Sequence, residues 1–127
     1  MSKRIIVCAD GTWNWIGQRF PTNVVKLARA IAPTAPDGIS QVVFYDQGVG
    51  TGNILDKLTG GAFGNGLEQN LSDNYHFLMH NYAEGDDLFF FGFSRGSYTV
   101  RSLAGLIRKC GILHKVHADK FHDAYSL

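Results

Sequence analysis

Apolar positions along this chain fall into two kinds of segment that alternate. Short continuous runs occupy residues 4–9 (RIIVCA), 41–45 (QVVFY) and 88–93 (LFFFGF). Runs of that length, bounded by turn residues, predict buried strands. The last of them shows no alternation of apolar and polar positions, so it is expected to be a central strand covered on both faces. Between and after the runs, apolar residues recur with a period of about 3.6, the signature of helices that bury one face. Val24, Leu27, Ala28 and Ile31 make the first stripe, with Thr22 placed as its N-cap and Pro33 just beyond its end. Leu67, Leu71, Tyr75, Leu78 and Tyr82 make the second, which runs to about Ala83 and stops at Gly85. Val100, Leu103, Ala104 and Ile107 make the third, with Arg108 and Lys109 in its last turn and Gly111 as its C′ residue. A short helical piece is predicted around Ile54, Leu55 and Leu58, inside a glycine-rich connection.

Strands alternating with helices predict an α/β fold, a three-layer sandwich with a parallel sheet and helices on both faces. Ligands of such sheets bind beyond the carboxyl ends of the strands. Those ends are Asp10-Gly11-Thr12, Asp46-Gln47-Gly48 and the stretch 92–96, so three regions distant in sequence are expected at one edge. The loop 11–21 after the first strand carries Trp13, Trp15 and Phe20, aromatics that either cover the core edge or line a site.

Composition narrows the class. The 127 residues are 45% hydrophobic, which suits one domain with a real core and excludes both a multidomain machine and a disordered chain. The formal net charge of +1 excludes an electrostatic trap for nucleic acid. Cys8 and Cys110 are too few for a disulfide scaffold and read as buried or half-buried free thiols. The first apolar run stops at Asp10, short of a signal peptide, and no stretch reaches the roughly 18 residues that span a membrane. A cytoplasmic origin is expected, with export left to a non-classical secretion machine.

Gly92-Phe93-Ser94-Arg95-Gly96 carries the chemistry. It matches G-x-S-x-G with an apolar strand before it and a helical stripe after it, the context of a nucleophile elbow. Ser94 on a sharp strained turn would project its hydroxyl, and Gly92 and Gly96 would clear space where strand and helix approach. The Arg95 amide, at the start of the next helix, can donate to an oxyanion. Backbone amides of Gly11 and Thr12 are placed to supply the second donor. Asp10, Trp13, Asp46, Gln47, Gly48, Gly92 and Gly96 are read as site-lining. The bland alternative is a glycine-rich turn with an ordinary serine. A phosphatase reading of Asp10-Gly11-Thr12 fails because its motif needs a second Asp where Ala9 stands. The loop 46–52 can cradle an anion, but it is neither a Walker A loop nor a dinucleotide fingerprint. His76 and His80, four apart, read as helix-surface residues, and His114, His117 and His122 as part of a polar tail. No metal site and no cofactor are predicted.

Four segments together carry a resemblance: the strand into Asp10-Gly11-Thr12-Trp13-Asn14, Pro21-Thr22-Asn23-Val24, Tyr45-Asp46-Gln47-Gly48-Val49-Gly50-Thr51, and Gly92 to Gly96. Over residues 4–127 the chain resembles an α/β-hydrolase-like family of bacteria and fungi that includes phospholipase effectors of the type VI secretion system. The resemblance implies that Ser94 is the nucleophile of a Ser-Asp-His triad cleaving acyl esters, phospholipids among them. It also implies a larger family core, with the triad Asp and His after the elbow helix. Residues 1–127 then read as a partial domain, the N-terminal half of an α/β-hydrolase fold whose C-terminal half lies beyond. Implied partners are an ester or phospholipid substrate and peripheral membrane contact in the full protein.

Asp119 with His122 is the pair after Ser94 that keeps the expected order of acid and base, but no strand separates them and they would have to loop back over the sheet. The competing reading is a non-catalytic module, truncated or degenerate, that acts in interaction or structure. Exposed sheet edges predict pairing of copies, a homo-oligomer, or aggregation.

Overall fold

A computed structural model describes residues 2–11, 17, 19–48 and 64–126. Three strands, β1 (Arg4–Ala9), β2 (Gln41–Asp46) and β3 (Asp87–Gly92), form one sheet in the order β2-β1-β3. Both pairings are parallel, and Ala9 stands in register with Asp46 on one side and with Gly92 on the other. Helix α1 (Asn23–Ala30) follows β1, α2 (Gly64–Asn81) follows β2, and α3 (Arg95–Cys110) follows β3. The chain closes with a 3-10 helix (Lys115–Lys120) and α4 (Phe121–Ser126).

Side chains alternate across the sheet, so β1 feeds two cores. Ile5, Val7 and Ala9 pack with Leu71, Tyr75 and Leu78 of α2 and with Val100, Leu103 and Leu106 of α3. Ile6 and Cys8 point the other way, to Val24 of α1 and to Val43 and Tyr45 of β2. Helices therefore cover both faces, as expected. The chain steps from β1 to β2 through α1 on one face, then past β1 to β3 through α2 on the other. Strand order thus reverses at β1, which makes its carboxyl end a switch point where ligands of such sheets bind.

Among the described residues β1 is paired on both sides and buried on both faces, and β3 is paired on one side, to β1. Leu88 and Phe90 pack into the core, while Phe89 and Phe91 stay 42% and 40% exposed. An unalternating apolar run describes what a strand can bury, and tertiary context decides what covers it.

Helix ends match their chemistry. The Thr22 hydroxyl accepts from the Val25 amide at 3.2 Å, and the Gly111 amide, at φ 72°, returns to the Ile107 carbonyl at 2.7 Å. The stripe of α3 is rotated from the expected one, with Leu106 buried and Ala104 exposed. The polar tail is not loose. Phe121 is buried against the rings of Tyr75 and His76, and the Tyr75 hydroxyl bonds the Gly111 carbonyl at 2.8 Å. The predicted helical piece at 54–58 lies outside the described residues.

Candidate functional site

The three strand ends meet as the register requires. The Asp10 amide donates to the Asp46 carbonyl at 2.9 Å, and the Phe93 amide donates to the Ala9 carbonyl at 3.1 Å. Beyond β3 the chain turns sharply into α3 through Ser94, whose φ of 56° and ψ of −121° are foreign to a side-chain-bearing residue. It is the non-glycine residue at positive φ among the described residues. Strain of this kind costs about 1–3 kcal/mol and persists only where the surroundings impose it.

Those surroundings are backbone. A Cβ at Gly92 would meet the Gly96 carbonyl oxygen at 2.5 Å, and one at Gly96 would overlap the carbonyls of Ala9 and Asp10. The start of α3 therefore lies directly on the end of β1. The Gly96 amide bonds the Phe93 carbonyl at 2.8 Å, and the Ser97 hydroxyl bonds that of Gly92 at 2.9 Å. Ser94 stands at the N-cap of α3 but makes no side-chain cap bond, although serine there normally would. Its side chain is exposed at the positive end of the helix dipole. Ser97 is a supporting residue that sequence reasoning missed.

Across from the elbow, Asp10 is buried and holds the loop that leaves β1. Its Oδ1 accepts from the Gly11 amide at 2.9 Å, and its Oδ2 accepts from the Thr22 hydroxyl at 2.9 Å and the Tyr45 hydroxyl at 2.5 Å. Burial first, and the Asp10 contact second, push the Tyr45 phenol well above its usual range, so it stays a donor. Asp10 thus ties β1, the cap of α1 and β2 together. The Gly11 amide is engaged by Asp10. Thr12, Trp13 and Trp15 lie outside the described residues, while Phe20 is fully described and exposed. Tyr45 and Thr22 were named by the sequence, but only contact shows that they serve Asp10.

Asp46, also buried, accepts from the Asn74 amide at 2.8 Å. Burial pushes its carboxyl up to about 7; the Asn74 bond opposes the shift and nearby Asp73 adds to it. The Asn74 Oδ1 is buried without a hydrogen-bond partner among the described residues, so this pair is one donor short. The unfolded carboxyl titrates near 4 and the folded one near 7. Asp46 therefore makes stability fall as pH rises from about 4 to about 7, by on the order of 4 kcal/mol, with no further change above. Asp46→Asn should flatten this part of the profile and raise stability at pH 8, measured by urea denaturation across the range. Gln47 is exposed and Gly48 buried beside them.

Other candidates stand apart from the elbow. Nδ1 of His76 and of His80 each engage a carbonyl of α2 itself. The segment holding Asp119 and His122 docks through Phe121 at the Gly111 end of α3, and 16 helical residues, about 24 Å, separate that end from Ser94. Among the described residues no three His, Cys, Asp or Glu side chains group to hold a metal ion. Burial pushes the Cys8 thiol up to about 11, with Asp10 adding to it, so it is an inert core residue. No helix among the described residues is long and apolar enough to cross a membrane.

A parallel sheet flanked by helices on both faces, with a strained serine at a strand-to-helix turn, is consistent with a partial α/β-hydrolase-like fold. The model of the family described as T6SS, Phospholipase effector Tle1-like, catalytic domain, matches residues 3–127, and the chain belongs to that family. An uncharacterized protein of Saccharomyces cerevisiae, YEL023C, is 33% identical over 127 residues, covering 89% of this chain and 18% of the yeast protein. The chain thus spans under a fifth of the length of that curated relative. No solved structure matches it.

Proposed function

We propose that this chain carries the nucleophile and the oxyanion-binding half of a serine esterase acting on acyl esters, with phospholipids as the substrate class. The observation that carries the reading is Ser94: a serine held at positive φ, exposed, uncapped, and wedged between two glycines that cannot bear a Cβ. Membership of a phospholipase effector family supports the substrate class. In the complete enzyme a histidine takes the proton from the Ser94 hydroxyl as its oxygen attacks the acyl carbonyl. The amides of Arg95 and of the Gly11–Thr12 segment hold the oxyanion. The alcohol leaves with that proton, and water then releases the acyl group. Exposed Phe93 and Tyr98 flank the serine in sequence and offer apolar surface to an acyl chain or a lipid.

On this reading residues 1–127 form a partial α/β-hydrolase domain, with the triad Asp and His supplied by sequence outside it. The family also supports synthesis in the cytoplasm followed by export through a secretion machine. Copies pairing through exposed sheet edges belong to the same reading. The competing reading, a non-catalytic module, draws on the docking of residues 119–122 through Phe121 at the end of α3 remote from Ser94.

A fluorophosphonate probe separates the two. The full-length protein should be labelled, and Ser94→Ala should abolish labelling and lower ester hydrolysis by at least about a thousandfold, with far-UV circular dichroism unchanged. Labelling that persists in Ser94→Ala removes Ser94 from the chemistry. A full-length protein that neither labels nor hydrolyses esters supports the non-catalytic module.

A further inference from the structure

Charge is segregated along the chain, although the total is near zero. Residues 88–118 hold five of the twelve Lys and Arg and none of the eleven Asp and Glu. Three of the five, Arg101, Arg108 and Lys109, are exposed on α3. At about 3.6 residues per turn they lie opposite the buried stripe of Gly96, Thr99, Val100, Leu103 and Leu106. Tyr98, 63% exposed, and Gly105 share that outer stripe, and one turn further back it reaches the N-cap, Ser94. A Cβ at Gly105 would meet nothing within 4 Å among the described residues, so the middle of the face is open. The ion pairs among the described residues, Lys3 with Asp86 and Arg4 with Asp37, involve none of these cations. The face is turned away from the sheet, so elements beside α3 flank it rather than cover it. An apolar or cationic neighbour on it would bury three charges without partners, so any surface that covers this face must be anionic.

We propose that the outer face of α3 docks on an anionic phospholipid surface and brings Ser94 to it. The proposal rests on the phospholipid reading of the site and adds the headgroup charge that the protein selects. Arg101 and Arg108 stand about 10 Å apart along the helix axis, and Lys109 follows Arg108. Long cationic side chains at that spacing reach separate headgroup phosphates, and each Arg offers paired donors to one. Tyr98 suits the headgroup level, where a ring with one polar end is favoured. Each cation held near an anionic leaflet strengthens binding about fivefold. The three act together when the helix lies along the surface, and exposed Tyr98 and Phe93 then sit at its Ser94 end. Zwitterionic lipid offers the same ester bonds without net charge, so the selection lies in docking and not in the chemistry.

Co-sedimentation of the full-length protein with lipid vesicles tests this, with Ser94→Ala as the background so that the vesicles stay intact. Binding to vesicles of phosphatidylcholine with phosphatidylglycerol should exceed binding to phosphatidylcholine alone, and it should weaken as salt rises. In that background Arg101→Gln/Arg108→Gln/Lys109→Gln should lower the partition coefficient for the anionic vesicles by roughly a hundredfold, with far-UV circular dichroism unchanged. With Ser94 restored, the triple variant should hydrolyse a soluble short-chain ester at the wild-type rate, since all three residues lie about two turns or more from Ser94. Binding that does not distinguish the two vesicles, or that survives the triple substitution, overturns the proposal and leaves the face to an acidic protein segment. A full-length protein that ignores fluorophosphonate yet prefers anionic vesicles through these cations keeps the docking face and discards the hydrolase reading, so the two fail separately.

Discussion

Gly96→Ala is expected to destabilise the protein by at least about 3 kcal/mol, a large share of the total stability of a domain this size. The added Cβ would overlap the carbonyl groups of Ala9 and Asp10, and its near neighbours are all backbone. No side chain can rotate out of the way. Relief requires α3 to lift from the end of β1, which opens the contact of Val100 and Leu103 with Ile5 and Val7. Gly105→Ala in the same helix is the matched control. A Cβ there meets nothing within 4 Å, so alanine propensity should raise stability by about 0.5–1 kcal/mol. Urea midpoints of the two variants should move in opposite directions. Equal midpoints would mean that the elbow does not rest on β1 as described.

Asp10→Ala is expected to cost about 3 kcal/mol, since hydrogen bonds to a charged group contribute roughly 1.5–3 kcal/mol each and removing the buried charge itself recovers part of the loss. Three donors lose their acceptor: the Gly11 amide, the Thr22 hydroxyl and the Tyr45 hydroxyl. The Thr22 bond matters twice, because the same hydroxyl caps α1. Tyr45→Phe removes one donor together with its hydroxyl and should cost only about 1 kcal/mol. The double variant should be less destabilised than the sum of the singles, because both remove one interaction. Additive losses would sever Tyr45 from Asp10.

Much of this was readable from residue order. The three apolar runs became the three strands, and Thr22 and Gly111 cap the helices they were expected to cap. Asp10, Asp46 and Gly92 meet at one edge because parallel strands of equal length must end together. Capping and strand formation depend on neighbours in sequence, so local pattern suffices for them. The burial of Phe121 was missed because one aromatic among polar residues has no period, and only Tyr75 and His76 of α2 give it a place. The Asn74–Asp46 pair was missed for a related reason: two residues on separate elements share no spacing rule.

The G-x-S-x-G spacing named Ser94 from the sequence alone, because a turn that tight admits glycine at few other places. What the tertiary structure decided is how that turn is enforced and what surrounds it. The overlap at Gly96 comes from β1, a strand far away in sequence, and the pairing of β3 with β1 rather than with β2 comes from the order β2-β1-β3 among the described residues. The apolar content of a strand sets what it can bury. Which face is covered, and by what, is a property of neighbours that only the folded chain brings together.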